Sequence, residues 1–278
     1  MTKKIVLIAF DDMLQNSSEV LSLETPAESY AQLLSMLTEV RALDVPVILF
    51  TQCDRAQLEP ILQPLDWTDP FITENGSGIF TPVDHNPFAE PLGEREGDYY
   101  VQDLGCPYVQ ARAGLRVLAN VIGHPLKGFG DFTVSQLQKS LGVSEDAAHR
   151  AKAREFSEPF MTPKAVKAAS LVQSAEEIGF GVVLNPSEKS RFSQLVGAQA
   201  NVHSAVDQLM GAYQKRLPKE RELRILGVGL SETLNRELLR GHPGENAFSD
   251  WEVAVDVTLM TDLRVETLAA NIYEWVRP

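Results

Sequence analysis

Asp11 and Asp12 close an apolar run, Ile5 to Phe10, that has the length of a buried strand. A carboxylate pair at the end of such a strand is placed for acid–base chemistry; the same pair could equally be a plain strand-end turn. Gly227-Val228-Gly229 follows a second apolar run and has the start of a dinucleotide loop, but Glu232 stands where the third glycine belongs, so that signal is weak. Arg154, Ser157 and Glu158 are interleaved with Phe156 and Phe160. The phenylalanines read as core, whereas packing gives no reason for the polar three; if this segment holds an anion, Arg154 is the main contact, because a guanidinium grips carboxylate or phosphate through paired bonds. His203 reads as a solvated residue at a helix start. Cys53 and Cys106 have no metal-ligand spacing and read as buried thiols of a reducing, cytoplasmic compartment.

The 278 residues suit about two domains and, at 44% apolar, can bury a sizeable core. A formal net charge of -13 argues against a general nucleic-acid binder and against a protein drawn to anionic membranes, since both need a basic surface. A phosphorylated ligand would need a local basic pocket. Lys3 and Lys4 precede a short apolar run, but it stops at Asp11 without a cleavage site and reads as a first strand. No apolar stretch approaches the roughly 18 residues of a membrane span.

These groups need elements to hold them. Tyr30, Leu33, Leu34, Leu37, Val40 and Leu43 have helical spacing within 26–43, and Val45 to Phe50 is a second buried strand. A helix over Ala56 to Leu65 and a strand from Pro70 to a turn at Gly76 continue an alternation that predicts a parallel sheet covered by helices. Residues 81–99, rich in proline, glycine and acids, read as a linker. Beyond it come a strand at 99–103, a helix over Ala111 to Ile122, a loop at Gly128 to Gly130, and helices over 133–141 and 145–153, the last capped by Ser144. The α/β pattern resumes with a helix at 201–216, a strand at Leu223 to Val228, a helix over Glu232 to Arg240, a strand at Val253 to Leu259 and a helix from Val265 to Val276. One domain interrupted by another is the economical organisation.

Several segments, in order, resemble the mannosyl-3-phosphoglycerate phosphatase group of the haloacid dehalogenase (HAD)-like superfamily. Val45 to Thr51 is similar to the second motif, and Pro70-Phe71-Ile72-Thr73-Glu74-Asn75-Gly76-Ser77-Gly78-Ile79-Phe80 to a group signature. Lys127 to Thr133 and Ala153 to Phe160 resemble cap signatures, and Arg191-Phe192 sits where the chain would re-enter the core. The resemblance implies an α/β fold: a doubly wound, Rossmann-like parallel sheet at 1–82 and 188–278 with an inserted α+β cap at 83–187.

The catalytic positions depart from the pattern. In the superfamily the first motif's leading Asp attacks phosphorus and binds Mg²⁺, and the second acts as acid and base. Here those positions hold Ala9 and Asp11. The third motif's Lys falls at Val202, the fourth motif's two metal-site acids at Leu230 and Leu234, and the second motif keeps Thr51. Glu232 is a neighbouring acid that could replace a metal carboxylate. Asp11 and Thr51 are thus the remnants of the reaction, and Arg154, Ser157, Glu158 and Arg191 the expected ligand contacts. The resemblance leads to a pseudophosphatase, without a cofactor, that binds a sugar-phosphate or glycerate-type ligand or a protein partner; the alternative is a Mg²⁺-dependent phosphatase with a rebuilt site.

Overall fold

The computed structural model describes residues 3–13, 27–43, 45–84, 91–184, 191–215, 223–230, 233–234 and 255–277. Its first strand, β1 (Lys3–Ala9), is apolar on both sides because both sides are covered. Val6, Ile8 and Phe10 pack on α1 (Ala27–Arg41), α2 (Arg55–Leu62) and α8 (Val265–Val276), whereas Ile5, Leu7 and Ala9 pack on α7 (Val202–Gln214). The strict alternation of a strand sends successive side chains to opposite layers, which makes the sheet doubly wound.

On one side β1 pairs in parallel with β10 (Leu223–Val228), which pairs in parallel with β11 (Val255–Met260). On the other it pairs in parallel with β2 (Val47–Phe50), and β2 with β3 (Phe71–Thr73). The expected strands from Ile5, Val45, Phe71 and Leu223 therefore lie parallel in one sheet. The register sets Ala9 opposite Phe50 and Ile8 opposite Val228, so Ala9, Thr51 and Gly229 meet at one edge.

The sheet continues antiparallel through β4 (Gly78–Pro82), β6 (Tyr99–Asp103) and β5 (Glu94–Glu96). This corrects the reading of 83–103 as linker and cap. Glu94, Arg95 and Glu96 are all exposed on the outermost strand, where charges protect an open edge from pairing; a charge run that suggests a solvated linker is here a guarded sheet edge.

The cap packs α3 (Tyr108–Val121), α4 (Val134–Leu141), α5 (Glu145–Ala151) and α6 (Ala168–Glu177) around a three-stranded antiparallel sheet of β7 (Glu158–Met161), β9 (Phe192–Gly197) and β8 (Phe180–Val183). Ser144 caps α5 as expected, its Oγ accepting the Ala147 N–H at 3.2 Å. The return to the core at 188 is the second boundary to move: β9 is the central strand of the cap sheet, and Phe192 packs on Phe129 and Phe132. The chain re-enters the core between Gly197 and α7. Of the helix expected over Glu232 to Arg240, only Thr233 and Leu234, both helical, are among the described residues; Glu232 lies outside them.

Candidate functional site

The chain after β1 turns through a 3-10 segment, Phe10–Met13, which swings Asp11 and Asp12 in different directions. Asp11 faces β2: its carboxylate accepts the Thr51 hydroxyl at 2.7 Å and the Gln52 N–H at 2.9 Å. Burial pushes the Asp11 carboxyl up to about 7, with the nearby Asp12 charge adding to the rise, against the downward pull of these two bonds and of the Arg154 charge. Asp12 faces β10: it accepts the Leu230 N–H at 2.8 Å and the Thr233 hydroxyl at 3.3 Å. Gly229 permits this approach, since a Cβ there would stand 2.7 Å from the Ala9 Cβ and 2.9 Å from Asp12 Oδ2.

Ala9, Val202 and Leu234 are buried in one apolar cluster with Phe50, Ile72 and Ile79. Three of the four positions at which the resemblance expects catalytic charges thus lie in the core. Leu230 is the fourth and is 52% exposed, so its side chain is not packed away with the others. Val202 opens α7 against the turn after β3, where Gly76 has a φ of +86 and any Cβ would collide with the Asn201 backbone at 2.1 Å.

The cap reaches this edge through a buried polar seam. The Arg154 side chain is fully buried, with Nε 3.3 Å from Asp54 Oδ2 and Nη1 donating to the Gln52 carbonyl at 2.8 Å. Its Nη2 has no hydrogen-bond partner among the described residues. The Gln52 carbonyl also takes a bond from Gln194 Nε2 at 3.1 Å, and Arg55 pairs with Glu155 at 2.9 Å. Glu74, buried in the core domain, accepts the Glu155 N–H at 2.9 Å, the Phe156 N–H at 3.3 Å and the Ser157 hydroxyl. Its backbone and that of Asn75 have φ of +50 and +57, a left-handed conformation that non-glycine residues adopt at a cost. Bonds from their N–H groups to the Cys53 and Thr51 carbonyls hold it.

The residues expected as ligand contacts therefore have internal partners. Arg154 is balanced by Asp54, Ser157 donates to Glu74, and Glu158 is fully buried with Oε1 accepting the Gly130 N–H at 3.0 Å. Arg191 is exposed just before β9, its carbonyl paired with the Thr162 N–H. Sequence reasoning passed over Glu74, Gln52 and Asp54. The one local signal was an acid, Glu74, directly after the buried strand Phe71–Thr73, where an unpaired charge would not be tolerated.

No family model matches the chain. It is 28% identical over 207 residues to a glucosyl-3-phosphoglycerate/mannosyl-3-phosphoglycerate phosphatase of Methanococcoides burtonii, covering 74% of this chain and 73% of that protein. A mannosyl-3-phosphoglycerate phosphatase of Pyrococcus horikoshii is 32% identical over 123 residues, 44% of this chain and 49% of the relative. In sequence the chain is similar to mannosyl-3-phosphoglycerate phosphatases, and its fold is HAD-like. Among solved structures, a haloacid dehalogenase-like hydrolase from B. subtilis superimposes with a TM-score of 0.54 at 17% identity over 97% of this chain and 98% of its own, and Thermoplasma acidophilum 0175 with 0.57 at 11% over 99% and 98%. At such identities these two likenesses bear on the fold alone.

Likeness to this group implies a Mg²⁺ site, and the described residues do not fit one. Mg²⁺ needs near-octahedral oxygen ligands anchored by carboxylates, whereas Ala9, Leu230 and Leu234 offer none. Asp11 and Asp12 remain, and both carboxylates are engaged by protein donors. Among the described residues no group of three or more His, Cys, Asp or Glu could hold a metal ion.

Proposed function

We propose that this relative of the phosphatase group binds a phosphorylated sugar acid between core and cap without forming the aspartyl-phosphate of the superfamily. The observation that carries the reading is Ala9, a buried methyl at the position of the nucleophile, clustered with Val202 and Leu234. Ala9 cannot attack phosphorus, Val202 cannot neutralise a phosphoryl oxygen, and groups that act as a unit in catalysis are not missed one at a time. The Thr51 hydroxyl and the Gln52 N–H are donors spaced to take two oxygens of one anion, as they now take the two oxygens of Asp11. The Arg154 Nη2 supplies a third donor from the cap.

The second reading, a Mg²⁺-dependent phosphatase with a rebuilt site, is favoured by the names of the relatives, which are phosphatases. One experiment separates the two. The purified protein is expected to release no phosphate from p-nitrophenyl phosphate or mannosyl-3-phosphoglycerate above background with Mg²⁺. It is expected to gain thermal stability with a phosphorylated sugar acid in EDTA, by roughly 2.7 kcal/mol at 100 times the dissociation constant, and to lose most of that gain in Thr51→Val. Turnover that vanishes in Asp11→Asn would establish the phosphatase instead. The absence of any shift across a panel of sugar phosphates and glycerate derivatives would remove the ligand and leave a protein partner as the role to seek.

A further inference from the structure

We infer that the Asp12 carboxylate, and not a divalent cation, joins the loop after β1 to the loop after β10. This rests on the reading that the site is not a metal-dependent phosphatase centre, and it adds what holds the two loops together once the metal ligands are gone.

The two loops are 218 residues apart in sequence, and each ends a parallel strand at the same edge of the sheet. In the superfamily pattern they are bridged by a cation between the first-motif Asp and a fourth-motif Asp, positions that are Ala9 and Leu230 here. Without that bridge, the Leu230 N–H would point at the β1 loop with no acceptor. Asp12 fills the gap from three residues beyond Ala9, with Oδ2 at 2.8 Å from the Leu230 nitrogen and Oδ1 at 3.3 Å from the Thr233 hydroxyl. An ionised acceptor strengthens such bonds relative to a neutral one. Gly229 is part of the device, since Asp12 Oδ2 stands 2.9 Å from the place of a Cβ and any side chain there would push the carboxylate out.

The same geometry leaves a cation poorly served. The buried wall is Ala9 and Leu234, which would strip water from an ion and return no ligand. The oxygens of Asp12 already face an N–H and an O–H, and those of Asp11 face Thr51 and Gln52 on the other side.

The test uses the full chain and no substrate, so its outcome is independent of whether phosphate is ever released. Wild-type Tm is expected to be the same in MgCl₂ and in EDTA. Asp12→Ala is expected to lower Tm by on the order of 3–6 °C and to speed hydrogen exchange at the Leu230 amide about tenfold or more. Asp12→Asn, whose amide oxygen still accepts from Leu230, is expected to keep most of both and to stay indifferent to Mg²⁺. A rise of wild-type Tm in MgCl₂ that disappears in Asp12→Asn would make Asp12 a metal ligand and overturn the inference. So would an Asp12→Ala protein with unchanged Tm and unchanged Leu230 exchange.

Discussion

Ala9→Asp restores the one atom group that the reaction needs first, and it is expected to cost stability without returning activity. Ala9 is 2% exposed and packed among Val202, Leu234, Phe50 and Ile72. A carboxylate at position 9 would leave water for that cluster with no cation waiting, because position 202 is valine. It would also approach Asp12: the Ala9 Cβ and Asp12 Oδ2 stand 2.7 and 2.9 Å from the same point beside Gly229. Two like charges ~5 Å apart at an effective dielectric of ~20 repel by about 3 kcal/mol, and desolvation adds to this. A total of roughly 3–5 kcal/mol is the scale seen when a buried charge lacks its partner, equivalent to a Tm loss of roughly 6–15 °C. Urea and thermal unfolding at neutral pH measure it, with Ala9→Asn separating size from charge. Adding Val202→Lys should recover part of the loss, so that the pair is non-additive by about 1 kcal/mol or more. An Ala9→Asp protein as stable as the wild type, or one that hydrolyses p-nitrophenyl phosphate with Mg²⁺, would show that the site is one residue from working and would refute the argument.

Arg154→Met leaves Asp54 buried without its cation and is expected to destabilise by about 3–5 kcal/mol; Asp54→Asn in the same chain should return part of this, and strict additivity in equilibrium unfolding would mean that the two do not pair. Burial raises the Glu74 carboxyl to about 7, opposed by the Arg154 charge and the Ser157 hydroxyl. Its ordinary value lies near 4.5, so the fold holds a proton there that the unfolded chain has released, and stability is full below about pH 4.5 and declines as pH rises through about 7, by about 3 kcal/mol for this group. Glu74→Gln should flatten that decline in melts taken from pH 4.5 to 8, and an unchanged slope would remove Glu74 as its source.

The core was legible because its strands are apolar on both faces. Ile5 to Phe10 and Val45 to Phe50 carry no charge, and a strand covered by helices on both sides must read this way. The strands that escaped notice carry polar residues for specific reasons. Glu94-Arg95-Glu96 is an edge, so its charges stay in water. Phe192 to Gly197 includes Ser193 and Gln194, which look like surface but are buried, since Ser193 bonds Thr162 and Gln194 reaches the Gln52 carbonyl. No periodicity announces a polar residue whose partner is 142 positions away.

The same limit governs the site. Arg154 reads in sequence as an anion contact, and the fold supplies Asp54; Asp11 and Asp12 read as a carboxylate pair at a strand end, and the fold separates them, giving Asp11 the Thr51 hydroxyl and Gln52 N–H and Asp12 the Leu230 N–H and Thr233 hydroxyl. Each of these three side chains is held by a residue from another element, while the Arg154 Nη2 has no partner among the described residues. A ligand anion must then displace Asp11 from the Thr51 hydroxyl and the Gln52 N–H before it can use them, and its apparent affinity falls by the fraction of molecules in which that displacement has occurred. Because burial holds the Asp11 carboxyl near 7, the neutral form, which repels no anion and grips its donors less firmly, is populated at ordinary pH. If the proposed ligand binds here, Asp11, at the acid–base position of the resembled pattern, is thereby the competitor that its phosphate must replace.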